Sequence, residues 1–118
     1  MKKLVIAVLV VSWASPVWAD FKDGNKLYTA CQEEDDNSVS YVQQSAECHG
    51  YITGVIDAIN GPDRGVGDFT FCVPPEALGL QVMDIVTNWL SNHPQDRHYG
   101  AHALVAIALS EVWPCPPE

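Results

Sequence analysis

Four stretches of the chain repeat apolar residues at helical spacing, and none alternates at the two-residue period of a strand. The first, about Asn25 to Gln32, puts Leu27, Tyr28 and Cys31 on one face, with Asp23 or Asn25 as its cap. The second begins after Ser38 or Ser40 and runs to about Ile59, carried by Ile52, Val55, Ile56 and Ile59. The third opens at Pro74-Pro75-Glu76, with proline in its first turn. Its stripe is Leu78, Val82, Ile85, Val86, Trp89 and Leu90, and it stops at Ser91-Asn92-His93-Pro94. The fourth, alanine-rich, runs from about Arg97 to Val112 and is ended by Pro114, Pro116 and Pro117. The pattern predicts an all-α, small four-helix domain without internal repeat or linker.

Two connecting segments stand out. The run Glu33-Glu34-Asp35-Asp36-Asn37 breaks the helical pattern with four adjacent carboxylates, which belong in a solvated loop. It lacks the spaced ligands and turn glycine of a calcium loop. Residues 60–71 carry Gly61, Gly65, Gly67 and Pro62 and predict a long irregular loop, a kind that is usually functional or disordered. Within the second helix, Gly50, Gly54 and Ala58 recur every four residues. An interior glycine costs about 1 kcal/mol against alanine. The stripe is therefore expected to lie against another helix, with close packing as the offsetting gain and overpacking as the result of Gly54→Leu.

The N-terminus changes the setting. Lys2 and Lys3, the apolar run Leu4–Val11 and the small-residue site at Val17-Trp18-Ala19 read as a secretory leader over 1–19, cleaved before Asp20. The run is far short of the roughly 20 residues that span a bilayer, so no membrane association is expected after cleavage. Lys2 and Lys3 leave with the leader, which takes the net charge from −9 to −11. Such a surface repels nucleic acid and anionic lipid and favours a basic protein partner. Cys31, Cys48, Cys72 and Cys115 in an exported domain predict two disulfides. A hairpin of the third and fourth helices would bring Cys72 near Cys115, leaving Cys31 with Cys48. Geometry also permits Cys48 with Cys72.

Catalytic and metal chemistry find little support. Cys48 and His49 are adjacent, so on a helix they point about 100° apart, and a disulfide sulfur is no nucleophile. His98 and His102 are four apart and His93 is close in sequence, but no zinc-peptidase pattern accompanies them. Capping and packing roles fit these histidines. No glycine loop follows a strand to cradle phosphate. No metal and no cofactor is expected, and the protein is not expected to be an enzyme.

Several blocks carry a likeness in combination. They are Phe21-x-Asp23-Gly24-Asn25-x-Leu27 followed by Cys31; Cys48-x-Gly50-Tyr51-Ile52-x-Gly54-Val55-x-Asp57-Ala58; Phe71-Cys72-x-Pro74; Leu90-x-x-His93-Pro94 with His98 and Ala101; and Ala108-Leu109 leading to Trp113-Pro114-Cys115. Over nearly all of residues 20–118 the chain resembles the Rap/Tai family of bacterial immunity proteins. The resemblance implies a small helical periplasmic protein that binds and inhibits a peptidoglycan amidase effector delivered by type VI secretion. It implies a cognate papain-like amidase as partner, and family members can act as dimers. The matched residues are scaffold, so no inhibitory residue carries over. A small periplasmic stress chaperone, or a binding protein of another role, would share the helices and disulfides.

The working surface is expected at loop 60–71, with Asp63, Arg64, Val66, Asp68 and Phe69 as partner contacts and Glu33–Asp36 as a second contact. Val66, Phe69 and Phe71 supply apolar groups, and aromatic anchors commonly dominate binding; the alternative is that Phe69 and Phe71 fold back onto the core, Phe71 beside Cys72 above all. Ile59 and Cys72 fix the loop's ends, which lowers the ordering entropy lost on binding.

Overall fold

A computed structural model describes residues 21–32 and 38–117. The leader and the acidic run Glu33–Asp36 lie outside the described residues. The elements, in chain order, are α1 (Gly24–Ala30), α2 (Val39–Ile59), α3 (Gly79–Asn92), a 3-10 turn (Pro94–Asp96) and α4 (Ala101–Val112). The domain is all-α, as the periodicity predicts, and is closed by two disulfides, Cys31–Cys48 and Cys72–Cys115. The alternative Cys48–Cys72 pairing is not the one formed.

Local chemistry sets the helix starts. Asp23 accepts from Lys26 N at 2.8 Å and caps α1, and Ser38 accepts from Tyr41 N at 3.1 Å and caps α2. Two starts differ from the sequence expectation. α3 begins at Gly79, not at Pro74, because Pro75 holds Pro74 out of the helical region. Residues 74–77 instead form a turn closed by Ala77 N donating to Pro74 O at 3.1 Å. Leu78 is then an extended N-cap residue, 69 % exposed, and drops out of the buried stripe. α4 begins at Ala101, not at Arg97, because residues 97–101 are committed elsewhere. Arg97 O and Tyr99 O accept from Asn25 N and Gly24 N at 2.9 and 3.0 Å, and Ala101 N donates to Lys22 O at 2.9 Å.

Gly24 makes that joint feasible. It is buried, and a Cβ there would lie 2.7 Å from Arg97 O, closer than real contacts allow. Arg97 also reaches across the joint. Its guanidinium lies 3.8 Å from the Tyr28 ring centroid, and its Nε donates to Leu90 O at 2.7 Å, satisfying a carbonyl at the end of α3. Trp89 Nε1 donates to Glu111 Oε2 at 3.1 Å and ties α3 to α4.

The core gathers one face of each helix: Leu27 of α1, Cys48 and Ile52 of α2, Val86 and Leu90 of α3, and Leu104, Val105 and Leu109 of α4. The glycine stripe of α2 is absent from it. Gly50, Gly54 and Ala58 are all exposed, and a Cβ at Gly50 or Gly54 would have nothing within 4 Å. The expected close helix crossing is therefore not there. The buried face of α2 is the one carrying Cys48, Ile52 and Val55, and the stripe points away from it.

Candidate partner-binding surface

The connection from α2 to α3 is long but held at many points. At its start, Asn60 caps α2 and its Oδ1 accepts from Val73 N at 2.9 Å, across the base of the loop. Gly61 N donates to Phe71 O at 3.0 Å. At its tip, Val66 and Phe69 form an isolated antiparallel bridge around Gly67-Asp68. At its exit, Phe71 is fully buried, Cys72 is bonded to Cys115, and Cys72 N donates to Trp113 O at 2.9 Å. Gly65 permits the tip. Its φ is +131°, a region that side chains disfavour, and a Cβ there would run into Phe69 O. The sequence's glycine content thus encodes a shaped hairpin tip.

The structure sorts the loop's side chains. Asp63, Arg64 and Asp68 are exposed, and Phe69 stands 43 % exposed at the bridge. Val66 is half-buried and leans on the core. Of the two readings of Phe71, presented on the loop or folded onto the core, the structure has the second: it plugs the core with 0 % exposure. Its neighbour Cys72 pins the backbone against the end of α4, so the ring has only the interior to enter.

Beside the loop lies an open apolar groove of about 390 Å³. Gly50, Gly54 and Ala58 form its bare floor, Tyr51 and Val66 its walls, and His102 of α4 its far edge. Burial pushes the Tyr51 hydroxyl above its ordinary pKa, against a hydrogen bond from the His102 backbone. The sequence reading missed Tyr51 and His102 here, and it assigned the stripe to an internal contact. Periodicity gives the face a residue occupies, but not whether that face finds a neighbour.

A second cavity, also about 390 Å³, opens between α1, α2 and α3 over the Cys31–Cys48 disulfide. Tyr28, Tyr41, Asp84 and Asn88 give it a polar lining. Hydrogen bonds with Ser91 and Gln32 hold the Tyr28 hydroxyl below its ordinary pKa.

The histidines have structural occupations. His93 stacks on Trp89, centroids 3.9 Å apart, and its Nδ1 lies 2.7 Å from Trp89 O. His98 packs against the Tyr99 ring at 4.1 Å. His49 covers Gly79, where a Cβ would meet its Nε2 at 3.0 Å. Among the described residues, no three His, Cys, Asp or Glu gather at metal-binding distance. Cys48, fully buried and disulfide-bonded, offers no thiolate to His49.

Among the described residues, no helix is long and apolar enough to cross a membrane. The two disulfides fit an oxidising compartment. No curated protein matches the chain significantly. The family model of the Rap1a immunity proteins matches residues 23–115, from the cap of α1 to the last cysteine. With the helical fold, both disulfides and the anchored loop inside that match, the chain belongs to the Rap1a immunity protein family.

Proposed function

We propose that the protein works in the periplasm, after loss of residues 1–19, and binds and inhibits a peptidoglycan amidase effector of type VI secretion. Family membership supports the immunity role. The observation that carries the mode of action is the anchored loop 60–71, with Phe69, Asp63, Arg64 and Asp68 presented at its exposed end. A narrow catalytic cleft is blocked by a protrusion rather than by a flat face. A protrusion already held by the Val66–Phe69 bridge, by Phe71 and by Cys72–Cys115 loses little entropy on docking. Inhibition of this kind is occupancy and needs no chemistry from the inhibitor. The acidic loop residues suit a cleft with basic edges and would speed encounter with it.

The test is protection. Where a peptidoglycan amidase gene lies beside this protein's gene, cells that direct that amidase into their own periplasm should lyse. Co-expression of the full chain should restore growth. Deletion of residues 2–19 should abolish protection while leaving the cytoplasmic protein abundant. Protection by the leaderless chain, or lysis despite exported wild-type protein, would count against the reading.

A further inference from the structure

The inner face of α2 changes character toward its N-terminus. Ile52 and Cys48 hold it in the core, and the same helical spacing continues through Ser45 to Tyr41. There the stripe turns polar and only half-buried. α3 sets Asp84, Thr87 and Asn88 on the other side, and the cavity of about 390 Å³ opens between them over the Cys31–Cys48 disulfide. That volume falls within the range of small-ligand sites, about 300–1,000 Å³. Hydroxyls and a carboxylate at such positions gain none of the packing that an apolar stripe would.

The fold does not use these groups up. Among the described residues, the side chains of Tyr41, Ser45, Asp84 and Thr87 have no hydrogen-bond partner. Asn88 accepts from Asn92 through Oδ1 at 3.3 Å, which leaves its amide hydrogens uncommitted. At one end the Tyr28 hydroxyl is engaged by Ser91 and Gln32.

Charge narrows the ligand. Among the described residues, Asp84 is the one charged side chain of the lining, so an anion is repelled. Arg97 stands against the Tyr28 ring, 3.8 Å from its centroid, and donates to Ser91 O at 3.3 Å, so an organic cation meets like charge at that end. An apolar ligand would leave the cavity's donors and acceptors unpaired. What fits is a neutral molecule that both donates and accepts around its rim.

We propose that this cavity binds a neutral sugar of one or two rings. Asp84, Asn88, Ser45 and Thr87 pair with its hydroxyls, and Tyr41 packs on its C–H face. The inference is independent of the inhibitor reading, since no residue of loop 60–71 lines the cavity.

The experiment is an NMR titration of isotope-labelled protein lacking residues 1–19. The probes are glucose, N-acetylglucosamine, maltose and chitobiose, with choline and phosphate as charged controls. The expected result is saturable amide shifts from at least one sugar, largest within residues 41–48 and 80–91, and none from the controls. Asp84→Ala should weaken that sugar at least about tenfold, as for a lost hydrogen bond to a charged group. Thr87→Val should weaken it severalfold, and both variants should keep the wild-type melting temperature. Should either melt lower, Ser45→Ala on the opposite wall carries the same test. A disaccharide bound more tightly than its monosaccharide would support the site with a glycan end as ligand, and equal affinity would support it with a free sugar. No saturable shift from any sugar by about 10 mM, well above a millimolar affinity, would overturn the proposal. So would saturation by choline or phosphate, shifts centred outside the cavity, or wild-type affinity in the folded variants. No effector takes part, so none of these results touches the inhibitor reading.

Discussion

Val66 and Phe69 exchange both of their backbone hydrogen bonds, Val66 N to Phe69 O at 3.2 Å and Phe69 N to Val66 O at 3.1 Å. The pair shapes the loop tip before any partner arrives, and Gly65 is what lets the chain reach it. Gly65→Ala places a Cβ against Phe69 O in a backbone conformation unfavourable to alanine. The substitution should cost about 1–3 kcal/mol of local strain. Circular dichroism should show helices unchanged, amide exchange at Val66 and Phe69 should accelerate, and effector affinity should fall.

The two loop phenylalanines should separate stability from binding. Phe71 is fully buried, so Phe71→Ala should destabilise by about 3–5 kcal/mol. Phe69 is 43 % exposed, so Phe69→Ala should shift stability by no more than about 0.5 kcal/mol. Its affinity loss should instead exceed about 2 kcal/mol, as for an aromatic anchor. Urea melts and titrations on the two variants check both halves. The opposite assignment would place Phe69 in the core.

The same substitution should have opposite signs at two glycines. Gly24→Ala forces a Cβ to within 2.7 Å of Arg97 O at the tight joint of α1 with the turn before α4, and should destabilise by about 1–3 kcal/mol. Gly54→Ala meets no atom within 4 Å and should stabilise by about 1 kcal/mol through helix propensity. Thermal denaturation of both variants reads the contrast directly.

The disulfides should differ in accessibility. Cys31 and Cys48 are buried in the core, whereas Cys72 and Cys115 are only half-buried. Limited dithiothreitol followed by alkylation should therefore label Cys72 and Cys115 first, since attack requires access to the sulfur. Because Cys72 holds the exit of the loop, the half-reduced protein should keep most of its helix and lose effector affinity. Peptide mass mapping after each dose of reductant gives the order.

Much of this architecture was legible in the sequence, for identifiable reasons. Asp23 and Ser38 announce their helices because short oxygen-bearing side chains satisfy free N–H groups. His93-Pro94 ends α3 because proline disfavours helix before it. The hairpin of α3 and α4 placed Cys72 near Cys115 because antiparallel neighbours bring their far ends together. What the sequence hid are relations across the fold. Arg97 reads as a helix residue, but its carbonyl and guanidinium serve α1 and α3 instead. Phe71 reads equally as a presented loop residue or as one folded onto the core, and its place beside the Cys72–Cys115 bond goes with the inward choice. Gly50 and Gly54 read as a packing seam, and nothing in their spacing says that the seam faces outward.

The most direct measurement is inhibition of peptidoglycan hydrolysis by a type VI amidase effector, one encoded beside this protein's gene where such a gene is found, titrated with mature protein and with a variant whose residues 63–68 are a glycine–serine linker. Wild-type protein should abolish hydrolysis at stoichiometric ratio. The variant should keep its helical circular dichroism and its Cys72–Cys115 bond, yet need at least tenfold more protein, about 1.4 kcal/mol of lost affinity. A folded linker variant that inhibits as well as wild type would contradict the claim that this loop blocks the effector.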